Sequence, residues 1–196
     1  MIVHPIEAES YQIIDSLLSK NQTFLQLSLP EQTVIKRVLH ATGNIDFVDD
    51  FVFREGAIDR AQTLLSTNSP VITDVKMTYA GINYQNKHCF IDQVNSEGFP
   101  TRSALGLRKA VKTLEGNFIA VIGCAPTAIE ELLTEGYEKI LRTCVIIGVP
   151  VGFVGAAEQK IRLREKDILS ITNKSQLGGS AVAAAILNAL VKLTQS

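Results

Sequence analysis

The chain has 196 residues, 46% of them hydrophobic and 20% charged, enough to bury one sizeable core and near the upper size of one ordinary domain. Its 19 basic and 20 acidic residues leave a formal net charge of −1, which excludes a global field for nucleic acid or a membrane surface, so any anionic ligand has to be held by local donors. Three scattered cysteines, Cys89, Cys124 and Cys144, lack the spacing of a zinc site or a disulfide framework; they fit a reducing cytoplasm, and no metal site is expected.

Glu7 and Glu9 stand where a targeting segment would be basic, and no run approaches the ~18 apolar residues of a membrane span, so neither targeting nor insertion is expected. The first predicted helix runs from Glu7 to Leu18, with an apolar face of Ile6, Ile13, Ile14, Leu17 and Leu18. Ser10 lies on that face one turn before Ile14, with Tyr11 beside it; its hydroxyl either satisfies a backbone carbonyl or points into a pocket. Ser28-Leu29-Pro30-Glu31 reads as a capping box with proline in the first turn, opening a helix over Leu29 to Ala41. Val34, Ile35, Val38 and Leu39 form its apolar stripe, and Gly43 suits the left-handed residue that ends it. Arg37 and His40, three residues apart, leave the same side of its last turns and offer an anion anchor beside a proton donor. The helix dipole favours an imidazolium there and the charge of Arg37 opposes it; a plain capping histidine fits the position too.

A helix over Gly56 to Leu65 follows, then strands over Val71 to Asp74 and His88 to Ile91. His88, with no partner at ligand spacing, reads as a satisfied or surface histidine, and His4 before Pro5 as non-catalytic. Thr101 caps a helix over Ser103 to Leu114. Arg102 at that helix's positive end is locally unfavourable unless an anion or an acidic side chain sits opposite. Strands over Phe118 to Ile122 and Val145 to Ile147 lack polar alternation, as interior strands do. Helices over Thr127 to Leu133 and Ala156 to Lys166, a strand over Ile168 to Thr172 and a helix over Ser180 to Leu193 complete the chain. The alternation argues for one α/β domain spanning residues 1–196, a mostly parallel sheet with helices on both faces.

Small residues follow the interior strands: Gly123-Cys124-Ala125-Pro126-Thr127, then Gly148-Val149-Pro150-Val151-Gly152-Phe153-Val154-Gly155. A third glycine loop, Gln176-Leu177-Gly178-Gly179-Ser180, opens the last helix. Ligands of open α/β sheets bind beyond the carboxyl ends of the strands, and helix N-termini hold anions, so the three loops together suit a large polyanionic ligand. Tight-turn geometry accounts for any one of them alone. The spacing is neither the G-x-G-x-x-G of a dinucleotide site nor a phosphate loop, which disfavours a Rossmann-type oxidoreductase and leaves no nicotinamide or nucleotide cofactor expected.

Six segments in register carry a family resemblance: His40-Ala41-Thr42-Gly43, Val71-Ile72-Thr73-Asp74-Val75-Lys76-Met77, Thr101-Arg102-Ser103-Ala104, Ile122-Gly123-Cys124-Ala125-Pro126-Thr127-Ala128, the run from Pro150 to Glu158, and the run from Gly178 to Ala185. Through nearly its whole length the chain resembles precorrin-8X methylmutases, the precorrin isomerases of cobalamin biosynthesis. The resemblance implies a homodimer of α/β subunits with a corrinoid tetrapyrrole bound at the subunit interface. The reaction implied is a 1,5-sigmatropic methyl shift from C-11 to C-12 of the macrocycle, taking precorrin-8X to hydrogenobyrinic acid, or cobalt-precorrin-8 to cobyrinic acid, without a cofactor. His40 matches the family's catalytic histidine, which protonates a ring nitrogen and takes the proton back. Arg37 and Ser10 match its substrate-contacting arginine and serine. Arg102, Thr127, Gly155, Glu158, Gly178, Gly179 and Ser180 fall in the matching segments as further substrate-binding candidates; for Glu158 an internal salt bridge or cap serves equally. The chain departs from the family pattern at Asn44, where an acid is frequent, at Cys124, where asparagine is common, and at Ser175-Gln176-Leu177, where a basic residue is usual and Lys174 stands nearby. A non-catalytic corrinoid carrier would use the same loops and is the alternative reading.

Overall fold

A computed structural model describes residues 4–114, 116–134 and 136–195. The expected single domain therefore reaches, at residues 1–3 and 196, beyond the described residues. The elements run in the order α1 (Pro5–Leu18), α2 (Gln22–Gln26), α3 (Leu29–Thr42), α4 (Phe47–Asp50), β1 (Phe51–Phe53), α5 (Ala57–Ser66), β2 (Val71–Thr73), α6 (Lys76–Gly81) and β3 (Lys87–Cys89). After a 3-10 turn at Ile91–Gln93 come α7 (Arg102–Thr113), β4 (Ile119–Ile122), α8 (Pro126–Leu132), α9 (Glu138–Leu141), β5 (Val145–Gly148), α10 (Ala156–Glu165), β6 (Ser170–Asn173) and α11 (Ser180–Thr194).

The strands form one sheet in the order β1-β6-β5-β4-β2-β3, parallel throughout except for β1, which pairs antiparallel with β6. The expected α/β class and mostly parallel sheet are what the chain adopts. β4 and β5 are buried at every position, as their unbroken apolar sequences require of strands covered on both sides. Alternate side chains feed two cores. Ile119, Val121, Val145 and Ile147 pack with α3, α5 and α11, while Ala120, Ile122 and Ile146 pack with α7, α8 and α10. Most boundaries shift by no more than a residue and a few shift further; Ile91, expected at the end of a strand, lies in the 3-10 turn, and β6 begins at Ser170 rather than Ile168.

Every parallel strand ends on the same side of the sheet, and there the chain is tightly drawn together. A Cβ on Gly123 would stand 2.7 Å from the Ser180 Cα and 2.9 Å from the Ala183 Cβ, so the absence of a side chain lets α11 settle on the end of β4. Gly178 has φ +150°, and a Cβ there would lie 2.1 Å from the Val149 carbonyl oxygen. The Gly179 N–H donates to that carbonyl at 2.9 Å and the Gly152 N–H donates to the Gln176 carbonyl at 3.1 Å, lacing two glycine loops together. Gly123→Ala is expected to lower unfolding stability by roughly 1–3 kcal/mol, the usual cost of overpacking a close contact, read as a lower urea midpoint at unchanged slope; an unchanged midpoint would show that the α11 contact yields.

Candidate active site

α3 starts and stops as its sequence dictates. The Glu31 carboxylate accepts from the Ser28 N–H at 2.8 Å and from the Ser28 hydroxyl at 2.7 Å, and Pro30 occupies the first turn, where no N–H is needed. Gly43 closes the helix at φ +65°, its N–H donating to the Leu39 carbonyl at 2.8 Å. His40 therefore sits in the last turn.

α1 lies along α3 so that residues three apart on one helix meet residues three apart on the other. Arg37 pairs with Glu7 at 3.4 Å, and the Ser10 hydroxyl lies 2.8 Å from His40 Nδ1. The Tyr11 ring stacks on the imidazole, centroids 5.2 Å apart and planes 18° apart. Held on one edge and one face, the half-buried ring keeps Nε2 without a protein hydrogen-bond partner among the described residues. It lines a cavity of about 420 Å³ walled by Ile6, Ile13, Leu17, Gly43 and Ile45. The apolar face expected of α1 divides: Ile14 and Leu18 are buried on the core, whereas Ile6, Ile13 and Leu17 remain 70%, 56% and 63% exposed along this cavity. Arg37 lines a second cavity of about 440 Å³ with Tyr11, Lys36 and Asn188 of α11.

The other candidates gather at the carboxyl ends of the strands. Asp74, the residue after β2 and only 1% exposed, accepts four hydrogen bonds: at Oδ1 from the Val75 N–H and the Thr78 hydroxyl, both at 2.9 Å, and at Oδ2 from the Cys124 and Ala125 N–H groups at 2.7 and 2.8 Å. The Thr78 hydroxyl also lies 3.0 Å from the Ser180 hydroxyl, linking Asp74 to the start of α11. Thr127 shares a 2.7 Å hydroxyl contact with Thr101, which caps α7 through the Ala104 N–H. Arg102 has the acidic neighbour its position called for: Asp92 at 3.6 Å, with the Ile91 carbonyl accepting from it at 3.0 Å. Gly155 is the left-handed N-cap of α10, φ +77°, and Glu158 in that helix's first turn is exposed and makes no hydrogen bond or ion pair among the described residues. Partial burial and the Asp74 carboxylate push the Cys124 thiol pKa up, which keeps it protonated and poorly nucleophilic. His88 bonds Asn86 at 2.8 Å, the satisfied histidine expected of it, and His4 caps α1 through the Ile6 N–H.

Beneath the third glycine loop lies a polar network. Lys160 is fully buried, its Nζ donating to Asn173 Oδ1 at 2.9 Å and to the Leu177 carbonyl at 2.8 Å. Asn173 Nδ2 donates to the same carbonyl at 2.9 Å and to Asp50 at 2.6 Å; Asp50 also accepts from the Lys174 and Ser175 N–H groups and the Ser175 hydroxyl. Burial pushes the Lys160 pKa down to about 8, partly opposed by the Asp50 charge and assisted by Arg164. Burial alone would raise the Asp50 carboxyl, but hydrogen bonds from Asn173, Ser175 and Lys174 outweigh it and hold it below the ordinary range. Sequence reasoning missed Asp50, Lys160 and Asn173 and gave Asp74 no role of its own; for Asp74 the signal was present, an acid closing a buried parallel strand.

One group of candidates, Ser10, Arg37 and His40, thus lies on the α1–α3 seam, and the other lies around the strand ends. The cavity beside His40 takes its walls from α1, α3 and the turn after it, and none from the glycine loops.

A model of the precorrin-8X methylmutase family matches residues 5–193. The chain belongs to that family. Among its relatives, a cobalt-precorrin-8 methylmutase of Methanocaldococcus jannaschii is 38% identical over 82% of this chain and 79% of its own length. One of Salmonella typhimurium is 33% identical over 95% and 93%. A precorrin-8X methylmutase of Pseudomonas aeruginosa is 35% identical over 79% and 80%. A solved structure described as a precorrin-8X methylmutase related protein has a TM-score of 0.82 at 27% identity, covering 93% of this chain and 99% of that one. A Thermus thermophilus precorrin-8X methylmutase structure at 24% identity, with a TM-score of 0.82, shares the fold. As a precorrin-8X methylmutase family member, the chain is an isomerase of cobalamin biosynthesis.

The Lys160 environment has a measurable consequence. With its folded pKa near 8 and the ordinary lysine value of 10.5 in the unfolded chain, the unfolded state binds the extra proton between those limits, so stability rises with pH across that window. Urea unfolding of wild type and Lys160→Met at several pH values is expected to show wild type gaining on the variant from pH 8 to 10.5; a constant difference would place the Lys160 pKa at its ordinary value.

Proposed function

We propose that the chain moves a methyl group from C-11 to C-12 of a corrin macrocycle, converting precorrin-8X to hydrogenobyrinic acid or cobalt-precorrin-8 to cobyrinic acid, with His40 as proton donor and acceptor. The observation that carries this reading is the Ser10–His40 pair beside an apolar cavity. As imidazolium, His40 donates its Nδ1–H to the Ser10 hydroxyl and directs its other proton, at Nε2, toward the cavity. Once Nε2 has protonated a ring nitrogen, the Nδ1–H bond to Ser10 persists, and the Nε2 lone pair faces the same nitrogen to recover the proton. Protonation makes the conjugated system electron-poor while the C-11 to methyl bond breaks and the C-12 to methyl bond forms. The shift is intramolecular and redox-neutral, so it calls for no cofactor.

Arg37, whose single contact to Glu7 is long at 3.4 Å, is the group we assign to a macrocycle carboxylate, which its guanidinium fork fits. Arg102, Thr127, Gly155, Glu158, Gly178, Gly179 and Ser180 are assigned to the remaining rim. We further propose that two copies pair through the exposed Ile6, Ile13 and Leu17 face of α1, which would close the open side of the His40 cavity and bring the second group of contacts to it from the partner subunit. Three free cysteines suit a reducing cytoplasm, where we place the protein.

The test is anaerobic incubation with metal-free and with cobalt-bound precorrin-8, followed through the visible absorption of the macrocycle. Wild type is expected to convert one or both. His40→Ala should lose about 10²–10⁴-fold in turnover while still binding, and Arg37→Ala should mainly weaken binding. Equal turnover in wild type and His40→Ala would sink the mechanism, and binding without conversion by wild type would favour the corrinoid carrier.

A further inference from the structure

Lys160 occupies a position where a lysine is costly. It projects from the middle of α10, an otherwise strongly polar helix with Arg162, Arg164 and Glu165 in its last turn, yet its ammonium is fully buried. A buried ionic group is often matched or bettered in stability by an apolar side chain of similar volume, so stability alone gives no reason for a lysine here. Its hydrogen bonds give one. Two of the network's donors, Lys160 Nζ at 2.8 Å and Asn173 Nδ2 at 2.9 Å, converge on the same carbonyl, that of Leu177. The next two residues are the positive-φ pair Gly178 and Gly179, and α11 begins immediately after them. From the other side, Asp50 grips the start of this loop through the Lys174 and Ser175 N–H groups and the Ser175 hydroxyl, which also accepts from the Leu177 N–H at 3.1 Å. A loop of glycines has no side chains with which to fix itself. The Val149 carbonyl, accepting from the Gly179 N–H, holds it on one side, and the Lys160–Asn173–Asp50 network holds it from below.

We propose that Lys160 is a positioning residue for the methyl shift, fixing through the Leu177 carbonyl the conformation in which the Gly178-Gly179 turn and the N-terminus of α11 meet the substrate. This rests on the reading of that turn as a substrate contact. The residue touches no substrate itself. Asp50 supplies the balancing charge inside the fold, so the macrocycle carboxylates meet backbone donors rather than the ammonium.

The test compares Lys160→Met, which keeps an unbranched side chain one atom shorter and removes its donors, with Asn173→Ala, Ser175→Ala and wild type. Each is assayed for conversion of the precorrin-8 form that wild type accepts, with backbone hydrogen exchange followed in parallel. Lys160→Met is expected to raise KM about 10-fold with kcat changed far less, since the proton chemistry at His40 is untouched. Exchange should quicken over residues 175–182 and stay unchanged in β4. Adding Asn173→Ala to Lys160→Met should cost little more in KM, because both act on one carbonyl. Should Lys160→Met fail to fold, Ser175→Ala, at the partly exposed end of the same brace, is expected to raise KM in the same direction. A folded Lys160→Met with wild-type KM and wild-type exchange over residues 175–182 would overturn the proposal, as would a loss of stability without either change. Absence of conversion by wild type would instead overturn the functional reading on which the proposal stands.

Discussion

The N-terminus of α11 reaches the ends of β4 and β5 only because Gly123 and Gly178 carry no side chain, and the placement of the candidate site follows from that contact. α11 is the most apolar of the long helices, with nine buried residues from Ser180 to Leu190, and once seated on the sheet it offers its outer side to α3. α3 in turn supports α1 through Ile14 and Leu18, and the α1–α3 seam places Ser10 and Tyr11 around His40. The glycine loops at the strand ends and the histidine on the outer helices are therefore linked through one helix and border the same core.

Polar groups at these margins are satisfied by a few buried side chains. Asp74 ties the end of β2 to the first residues after β4, and through Thr78 it reaches Ser180. Asp50, Asn173 and Lys160 do the same for the loop after β6. In each case a carboxylate or ammonium absorbs backbone groups that a tight loop leaves unpaired, and leaving such groups buried without partners costs about 1–3 kcal/mol apiece. This arrangement lets the loops be built of glycine and small residues while remaining ordered.

Much of this was legible in the sequence. Phe118 to Ile122 and Val145 to Ile147 read as interior strands because β-branched and apolar residues follow one another without polar breaks, and α3 could be bounded by Ser28, Glu31 and Gly43. The helix dipole implied an anion or an acidic side chain opposite Arg102, and Asp92 is the acid found there. β1 was not legible: three residues at a sheet edge, antiparallel to β6, hold their place through pairing and through the adjacent Asp50 network. α6, a helix of six residues, was not legible either and is stabilised by α11, against which Gly81 approaches closely. Lys160 lies in a helix whose charges read as solvated, and only the tertiary fold brings Asn173 and the Leu177 carbonyl to it. The apolar face of α1 announced itself, but periodicity records that a face is apolar and not what covers it; Ile14 and Leu18 meet the core, and Ile6, Ile13 and Leu17 do not.

The chemistry assigned to the site depends on which imidazole nitrogen carries the proton once His40 is neutral. The most direct measurement is the ¹⁵N spectrum of histidine-labelled protein well above the imidazole titration range, with His40 identified against His4 and His88 by its loss in His40→Gln. Neutral His40 is expected to carry its proton on Nδ1, bonded to Ser10, and to shift toward the Nε2–H form in Ser10→Ala. A wild-type His40 protonated on Nε2 would leave no lone pair facing the cavity to take the proton back, and would contradict the mechanism.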